Sequence, residues 1–333
     1  MPELHSTGPW SVLENACGKT MTYQEVIRAC HGQPYPSDEE LEKITAEFYK
    51  FQLLQEWRPG GLGDHVTVGW LFSGTVNRLP WTDQFEVDHS AKTIRIPYNA
   101  REDHETLAIA EFLDLSRAHF PSLAHWEPEF YRIWGVERHI RIARGGSALL
   151  GIQTMGIQMT GYVFDERTTE MNIWVPRRSA NRRSHPGKMD NTVGGGTTAD
   201  EQHFETMIRE AREEASFPQD YMREHARFIG SISYFFVRPP SPDDGLVQID
   251  RSLQYIYDIE LPSHIIPKPS DGEVEAFYLW SIPQTMSALQ QGQFKSNAAV
   301  TLIDFLIRHG YINSTDEPEL EEITKLIRRR SYA

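Results

Sequence analysis

A mixed α/β architecture is predicted from three features of the sequence. The second half is dominated by short strands, one amphipathic helix sits at its centre, and a pair of helices follows at its end. That texture differs from the regular strand–helix alternation of a doubly wound sheet, and a smaller α+β region precedes it.

In chain order, residues 22–31 (TYQEVIRACH) and 38–56 (DEELEKITAEFYKFQLLQE) carry helical periodicity. The second segment follows Pro36 and Ser37 and opens with acidic residues, which the helix dipole favours in a first turn. Residues 66–73 read as a strand, 85–89 and 93–98 as a hairpin around Ser-Ala-Lys, and 102–118 as a helix. A stretch rich in Pro, Trp and His over 119–130 marks a boundary. Beyond it, 156–165 and 170–177 are strands joined by the polar Glu166–Thr169 turn, and TVGGG (192–196) is a short strand ending in glycines. A helix over 201–215 precedes three strands rich in Tyr, Phe and Ile at 226–237, 252–261 and 276–282. Helices over 283–291 and 297–309 follow, and a charged, peripheral helix is expected at about 317–330.

Composition excludes several function classes. The chain has 333 residues, is 39% hydrophobic and 24% charged, and can bury a sizeable core. Its net charge of −14 works against general nucleic-acid or anionic-membrane binding. Two cysteines, Cys17 and Cys30, exclude a disulfide framework and a four-thiolate zinc site. The start MPELHSTGPW has neither a basic patch nor an apolar run, and no stretch of 18 apolar residues occurs. A folded cytoplasmic protein with no membrane or nucleic-acid partner is therefore expected.

The chemistry concentrates in GGTTADEQHFETMIREAREEASF, residues 195–217. At 100° per residue, Glu210, Glu213 and Glu214 fall within an arc of about 100°. Phe204, Met207, Ile208, Ala211 and Ala215 occupy a separate, apolar arc that can bury against a sheet. Clustered carboxylates repel one another, and hard divalent cations such as Mg²⁺ or Mn²⁺ are their natural compensation. Phosphate commonly completes the shell of such a cation. Gly194, Gly195 and Gly196 permit close backbone approach to the metal or the phosphate.

The spacing is Gly195, five residues, Glu201, seven residues, then Arg209-Glu210-Ala211-Arg212-Glu213-Glu214-Ala215-Ser216-Phe217. It resembles the Nudix box. Six letters match at fixed offsets, and at residue frequencies of roughly 6% each, chance agreement is on the order of 10⁻⁷ per starting position. The resemblance implies a helix–sheet–helix sandwich and metal ligation by Glu210, Glu213, Glu214 and the carbonyl of Gly195. It also implies a bracing ion pair between Glu201 and Arg209. Ser216 replaces the family's glycine, and Ala211 and Phe217 its aliphatic residues. Ser216 questions the turn after the helix, where glycine serves a positive φ.

The flanks 156–196, 271–280 and 294–312 resemble the thiamin pyrophosphokinase-related Nudix hydrolases, as does the N-terminal region. A departure is Asn181-Arg182-Arg183-Ser184-His185, where that subgroup tends to have Thr-Lys and then Thr-Tyr. The resemblance implies hydrolysis of a thiamin-type diphosphate, or its oxy or oxo analogues, to the monophosphate and phosphate. A nucleoside diphosphate derivative or a prenyl diphosphate is the alternative substrate, and a diphosphate-binding protein without turnover is the alternative from another class. The general base is expected to be Glu214, or Glu273 or Glu275 from the loop before a strand, with Glu213 a further catalytic carboxylate. Arg177, Arg178, Arg182, Arg183 and Lys188 form a basic cluster that can grip a phosphate. Trp134, Trp174, Tyr234, Phe235 and Phe236 either stack on a heteroaromatic ring or pack in the core. The two cysteines read as buried or incidental thiols, and Arg328-Arg329-Arg330 as a solvated terminus. The expected division is an N-terminal α+β domain over 1–137, a Nudix domain over 138–313 and a C-terminal helix within 314–333. The N-terminal domain is expected to cover the site, support a homodimer or stabilise the catalytic half.

Overall fold

The computed structural model describes residues 20–31, 47–56, 63–124, 126 and 129–328. Its first helix, α1 (Tyr23–His31), is followed by a four-stranded sheet. Strand β1 (Phe48–Leu54) turns Tyr49, Phe51 and Leu53 inward at the period of two that a strand requires. It pairs antiparallel with β2 (His65–Phe72) and parallel with β4 (Thr93–Arg95), and β3 (Glu86–Asp88) closes the edge. The helix expected over 38–56 is thus corrected over 48–54. Sheet pairing on both sides of β1 overrides its helical spacing, and residues 38–46 lie outside the described residues.

A helical turn, α2 (Ser73–Val76), and the helix α3 (His104–His119) complete this part. Ala108, Ile109, Phe112 and Leu113 of α3 pack on the sheet beneath a Trp81–Phe112 stack with centroids 4.6 Å apart. A hairpin of β5 (Phe130–Arg132) and β6 (Arg141–Ala143) leads through α4 (Arg144–Ser147) into the second half. The expected division at 137/138 falls between these two paired strands.

The second half is a six-stranded mixed sheet between two helical layers. Its strands are β7 (Gln153–Phe164), β8 (Met171–Arg178), β9 (Val193–Gly196), β10 (Arg227–Val237), β11 (Ile249–Glu260) and β12 (Val274–Ser281). The order is β10-β11-β7-β8-β12, with β9 also pairing with β7; only β7 and β11 run parallel. On one face lie α5 (His203–Ala215) and α6 (Gln219–His225), sealed by Ile157, Met159, Val193, Met207, Ile208, Ala211 and Tyr257. On the other lie α7 (Ile282–Gln290), α8 (Ser296–Arg308) and α9 (Leu320–Arg328). Ser281 caps α7 with a reciprocal capping box to Gln284.

Two elements pack against expectation. Helix α9 buries Ile323, Leu326 and Ile327 in the core it shares with α1, β10 and α8 and is not peripheral, because a narrow apolar stripe suffices to bind a charged helix to a core. Arg328 is not merely solvated, since it donates to Asp304 at 2.6 Å. Helix α1 inserts Tyr23, Val26, Ile27 and Cys30 into the same core, on the face of the second sheet that carries α7, α8 and α9. Cys30 is buried, and burial pushes its thiol up to about 12. Cys17 lies outside the described residues. Among the described residues no helix is long and apolar enough to cross a membrane.

Candidate active site

Helix α5 presents its carboxylates to the glycine strand β9. Its apolar arc is buried, which fixes the azimuth at which Glu210, Glu213 and Glu214 leave the helix. The helix ends in a Schellman pair: the Phe217 amide donates to Ala211 O and the Ser216 amide to Arg212 O, both at 3.1 Å. Ser216 takes the left-handed conformation, φ 56°, that the family's glycine would take. Its hydroxyl donates to Lys268 O at 3.0 Å, tying down the loop that carries Asp271 and Glu273.

Arg209 is the hub. It donates through Nε and Nη2 to both oxygens of Glu201, at 2.7 and 3.0 Å, and through Nη2 to Gly196 O at 3.2 Å. Its Nη1 donates to Glu210 at 2.9 Å and to Glu213 at 3.1 Å. One guanidinium therefore serves three carboxylates and the backbone of β9.

The glycines of β9 let side chains approach the strand closely. A Cβ on Gly195 would lie 2.0 Å from Cδ of Glu210, and one on Gly196 would lie 2.2 Å from the Tyr131 hydroxyl. The Gly194 amide donates to Glu214 Oε2 at 2.9 Å. Glu214 is buried beneath the strand, Glu210 is nearly so, and Glu213 is half-exposed and also accepts from Arg212 at 2.7 Å. Burial pushes the Glu210 carboxyl up to about 7 against the pull of Arg209. Burial, reinforced by the Glu210 charge, pushes Glu214 well above the usual carboxylate range. Among the described residues no three His, Cys, Asp or Glu side chains already converge as a metal-binding group. The expected convergence of Glu210, Glu213 and Glu214 differs from the observed arrangement because Arg209 and Arg212 draw Glu213 aside and Gly194 holds Glu214.

Glu210, Glu213 and the three glycines line a cavity of about 1100 Å³. Glu273 lines it too, ion-paired to Arg182. Glu275 does not; it pairs with Arg177 at 3.5 Å outside the cavity wall. Of the basic cluster, Arg178 and Arg182 line the cavity, whereas Arg177, Arg183 and Lys188 do not. Arg178 is buried and donates to Asp190 at 2.7 Å and to Ser184 O at 3.1 Å. Lys188 donates to Gly292 O at 2.9 Å. Burial opposes the Asp190 charge, but Lys295 and Arg178 outweigh it and hold that carboxyl below its usual range. His185, also in the wall, is pushed down to about 4 by burial, with Lys295 and Arg178 adding to the effect.

Of the aromatic candidates, Tyr234 and Phe236 line the cavity. Trp174 packs in the core beside α5, Phe235 leans on Phe48, and Trp134 lies under Arg132. Several wall residues escaped the sequence reading: Tyr131, Arg141 and Arg144 from the β5–β6 region, Gln158 and Gln254 from the sheet, and Asp271 beside Glu273. The signal for Asp271 lay in the run Asp271–Glu275; the others carry none, because their neighbours in space are remote in sequence.

Comparisons with known proteins agree with the geometry. A NUDIX domain matches residues 157–300. An uncharacterized protein of Saccharomyces cerevisiae is 32% identical over 289 residues, covering 81% of this chain and 82% of that protein. In Arabidopsis thaliana, Nudix hydrolase 24, chloroplastic, is 25% identical over 98% of this chain and 88% of its own length. Nudix hydrolase 20, chloroplastic, is 31% identical over 56% of this chain and 48% of its own. The NUDIX domain of Shewanella oneidensis NrtR, solved with ADP ribose, aligns at 14% identity over 47% of this chain and 88% of that one, with a TM-score of 0.34. With the box helix and its Arg209 hub inside the matched segment, the chain carries a NUDIX domain and is related to Nudix hydrolases.

Proposed function

We propose that this hydrolase cleaves an organic diphosphate to the monophosphate and inorganic phosphate with Mg²⁺ or Mn²⁺, and that thiamin-type diphosphates are its preferred class. The observation that carries the reading is the burial of Glu210 and Glu214 against a glycine strand at the edge of a cavity large enough for such a substrate. Burial makes both carboxylates costly to charge and raises their pKa values, and a divalent cation with oxygen ligands would offset that cost. The donor set therefore fits a hard cation, which Glu210, Glu213, Glu214 and the carbonyl of Gly195 would hold. Such an ion supplies charge neutralisation at the diphosphate and lowers the pKa of a bound water.

The residues of the chain do the rest. Arg209 holds Glu201 and Gly196 so that strand and helix stay in register. Glu273, in the cavity wall and ion-paired to Arg182, is the better-placed base to take a proton from the attacking water. Glu275 is not part of the cavity wall, and Glu214 is buried and held by the Gly194 amide. Arg178 and Arg182 are the cations of the basic cluster within reach of a phosphate, and Arg177, Arg183 and Lys188 support the loop.

The preference for a thiamin-type group rests on the resemblance of the flanks. It is favoured over a prenyl chain by the polar floor of Gln158, Ser252 and Gln254 beneath Tyr234. A nucleoside diphosphate derivative is the second substrate class the same floor accommodates. The division into an N-terminal region to 137, a Nudix domain over 138–313 and a C-terminal segment over 314–333 belongs to this reading, as do cytoplasmic residence and a homodimer. Sharing of the second core by α1 and α9 couples the three segments. A substrate panel tests the reading. Mg²⁺-dependent phosphate release from oxythiamin diphosphate, with little from ADP-ribose or farnesyl diphosphate, supports it. The converse profile favours another substrate, and tight diphosphate binding without turnover would replace the hydrolase by a binding protein.

A further inference from the structure

Tyr131 belongs to the N-terminal half, yet it sits at the proposed reaction centre. Strand β5 is fastened to the loop of the box, where the Ala199 amide donates to Phe130 O at 2.8 Å. His139, between β5 and β6, adds a contact from Nε2 to Ala199 O at 3.0 Å and lies 3.3 Å from Asp200. These bonds hold the next residue, Tyr131, against Gly196, closely enough that any Cβ there would collide with its hydroxyl. The Tyr131 side chain is 6% exposed, with the Arg144 guanidinium 5.8 Å from its ring centroid.

The hydroxyl makes no hydrogen bond among the described residues, and Tyr131 forms part of the cavity wall near Glu210. The ring is packed away, but the hydroxyl opens on the cavity, where a bound ligand can supply the hydrogen-bond partner that the protein does not. Burial pushes the phenol above its ordinary range, so it is a donor at neutral pH. The ligand atoms that reach the Gly196–Glu210 corner are those of the diphosphate, if the function proposed above holds.

We propose that the Tyr131 hydroxyl donates a hydrogen bond to a phosphoryl oxygen of the substrate, so that the N-terminal half contributes a catalytic residue to the Nudix site. The proposal rests on the diphosphate reading and adds to it an active site built from both halves of the chain.

The test is Tyr131→Phe in the full-length protein, which removes the hydroxyl and keeps the ring on Gly196. Two measurements are made with Mg²⁺: binding of methylenediphosphonate by calorimetry, and phosphate release from the best substrate of the panel. Affinity and kcat/KM are both expected to fall about 10- to 100-fold, the range for a lost hydrogen bond to a charged group. The melting temperature is expected to stay within about 1 °C, because the hydroxyl has no protein partner. Unchanged affinity and turnover overturn the proposal, and so does a melting temperature lowered by several degrees, which would give the hydroxyl a structural role. If the wild-type protein neither binds methylenediphosphonate nor hydrolyses any diphosphate, the functional reading itself fails. If the wild type does both and the variant matches it, only the role of Tyr131 fails.

Discussion

Replacing Gly195 by alanine separates the stability of this site from its activity. Gly195 lies in the extended strand β9 and has no positive φ, so alanine fits the backbone. The added methyl would lie 2.0 Å from Cδ and Oε1 of Glu210. The carboxylate must retreat by about 1.5 Å to recover van der Waals distance. That is inexpensive for the fold. Glu210 loses a hydrogen bond from Arg209 but escapes a burial that pushes its pKa up to about 7, and the two effects oppose one another. The expected change in stability is within about 1 kcal/mol. Activity has no such compensation, because a misplacement near 1 Å costs about 10²-fold in a positioned site. The assay pairs a thermal melt with steady-state phosphate release across a Mg²⁺ titration. A near-native melt with kcat/KM reduced about 100-fold, and with the Mg²⁺ dependence moved to higher concentration, is the expected result. Unchanged kcat/KM would show that the place of Glu210 against β9 is irrelevant to catalysis and would refute the reasoning.

Other perturbations follow from the same geometry. Glu214→Gln should lower turnover by orders of magnitude while the melting temperature holds or rises, because burial already favours the neutral carboxyl there; kinetics beside a melt checks it. Glu273→Gln should reduce kcat by about 10²- to 10⁴-fold, the worth of a general base. Glu275→Gln should leave kcat within about twofold, since its carboxylate lies off the cavity wall; equal losses would remove the assignment of the base. The His185 ring should titrate near pH 4 by NMR, not near 6.5. Because the unfolded chain takes up that proton first, stability should decline as pH falls from 6.5 towards 4. His185→Gln should flatten that part of the profile.

What was legible in the sequence is what is local. Glu201, Arg209, Glu210, Glu213 and Glu214 lie within one turn-and-helix unit, so spacing alone places their side chains near one another. The sheet strands were readable because Tyr, Phe and Ile runs punctuated by glycine and proline have little other use. The errors arise where distant parts of the chain decide. FYKFQLL (48–54) continues a helical spacing, and only pairing with β2 and β4 makes it a strand. Helix α9 looks solvated until its three apolar residues meet α1 and the core they share. The basic loop reads as a phosphate grip, but Lys188 is spent on Gly292 and Arg177 on Glu275, partners that spacing does not reveal. Tyr131 is invisible for the same reason, since its partner surface is the strand β9 in the other half of the chain.

The central claim is that Glu210 and Glu214 bind a divalent ion beside the glycine strand. A Mn²⁺ titration of the full-length protein followed by electron paramagnetic resonance tests it most directly. Saturable binding that disappears in Glu210→Gln/Glu214→Gln, with the melt of the variant intact, is the expected result. Binding that survives the double substitution, or no saturable binding in the wild-type protein with or without methylenediphosphonate, would contradict it.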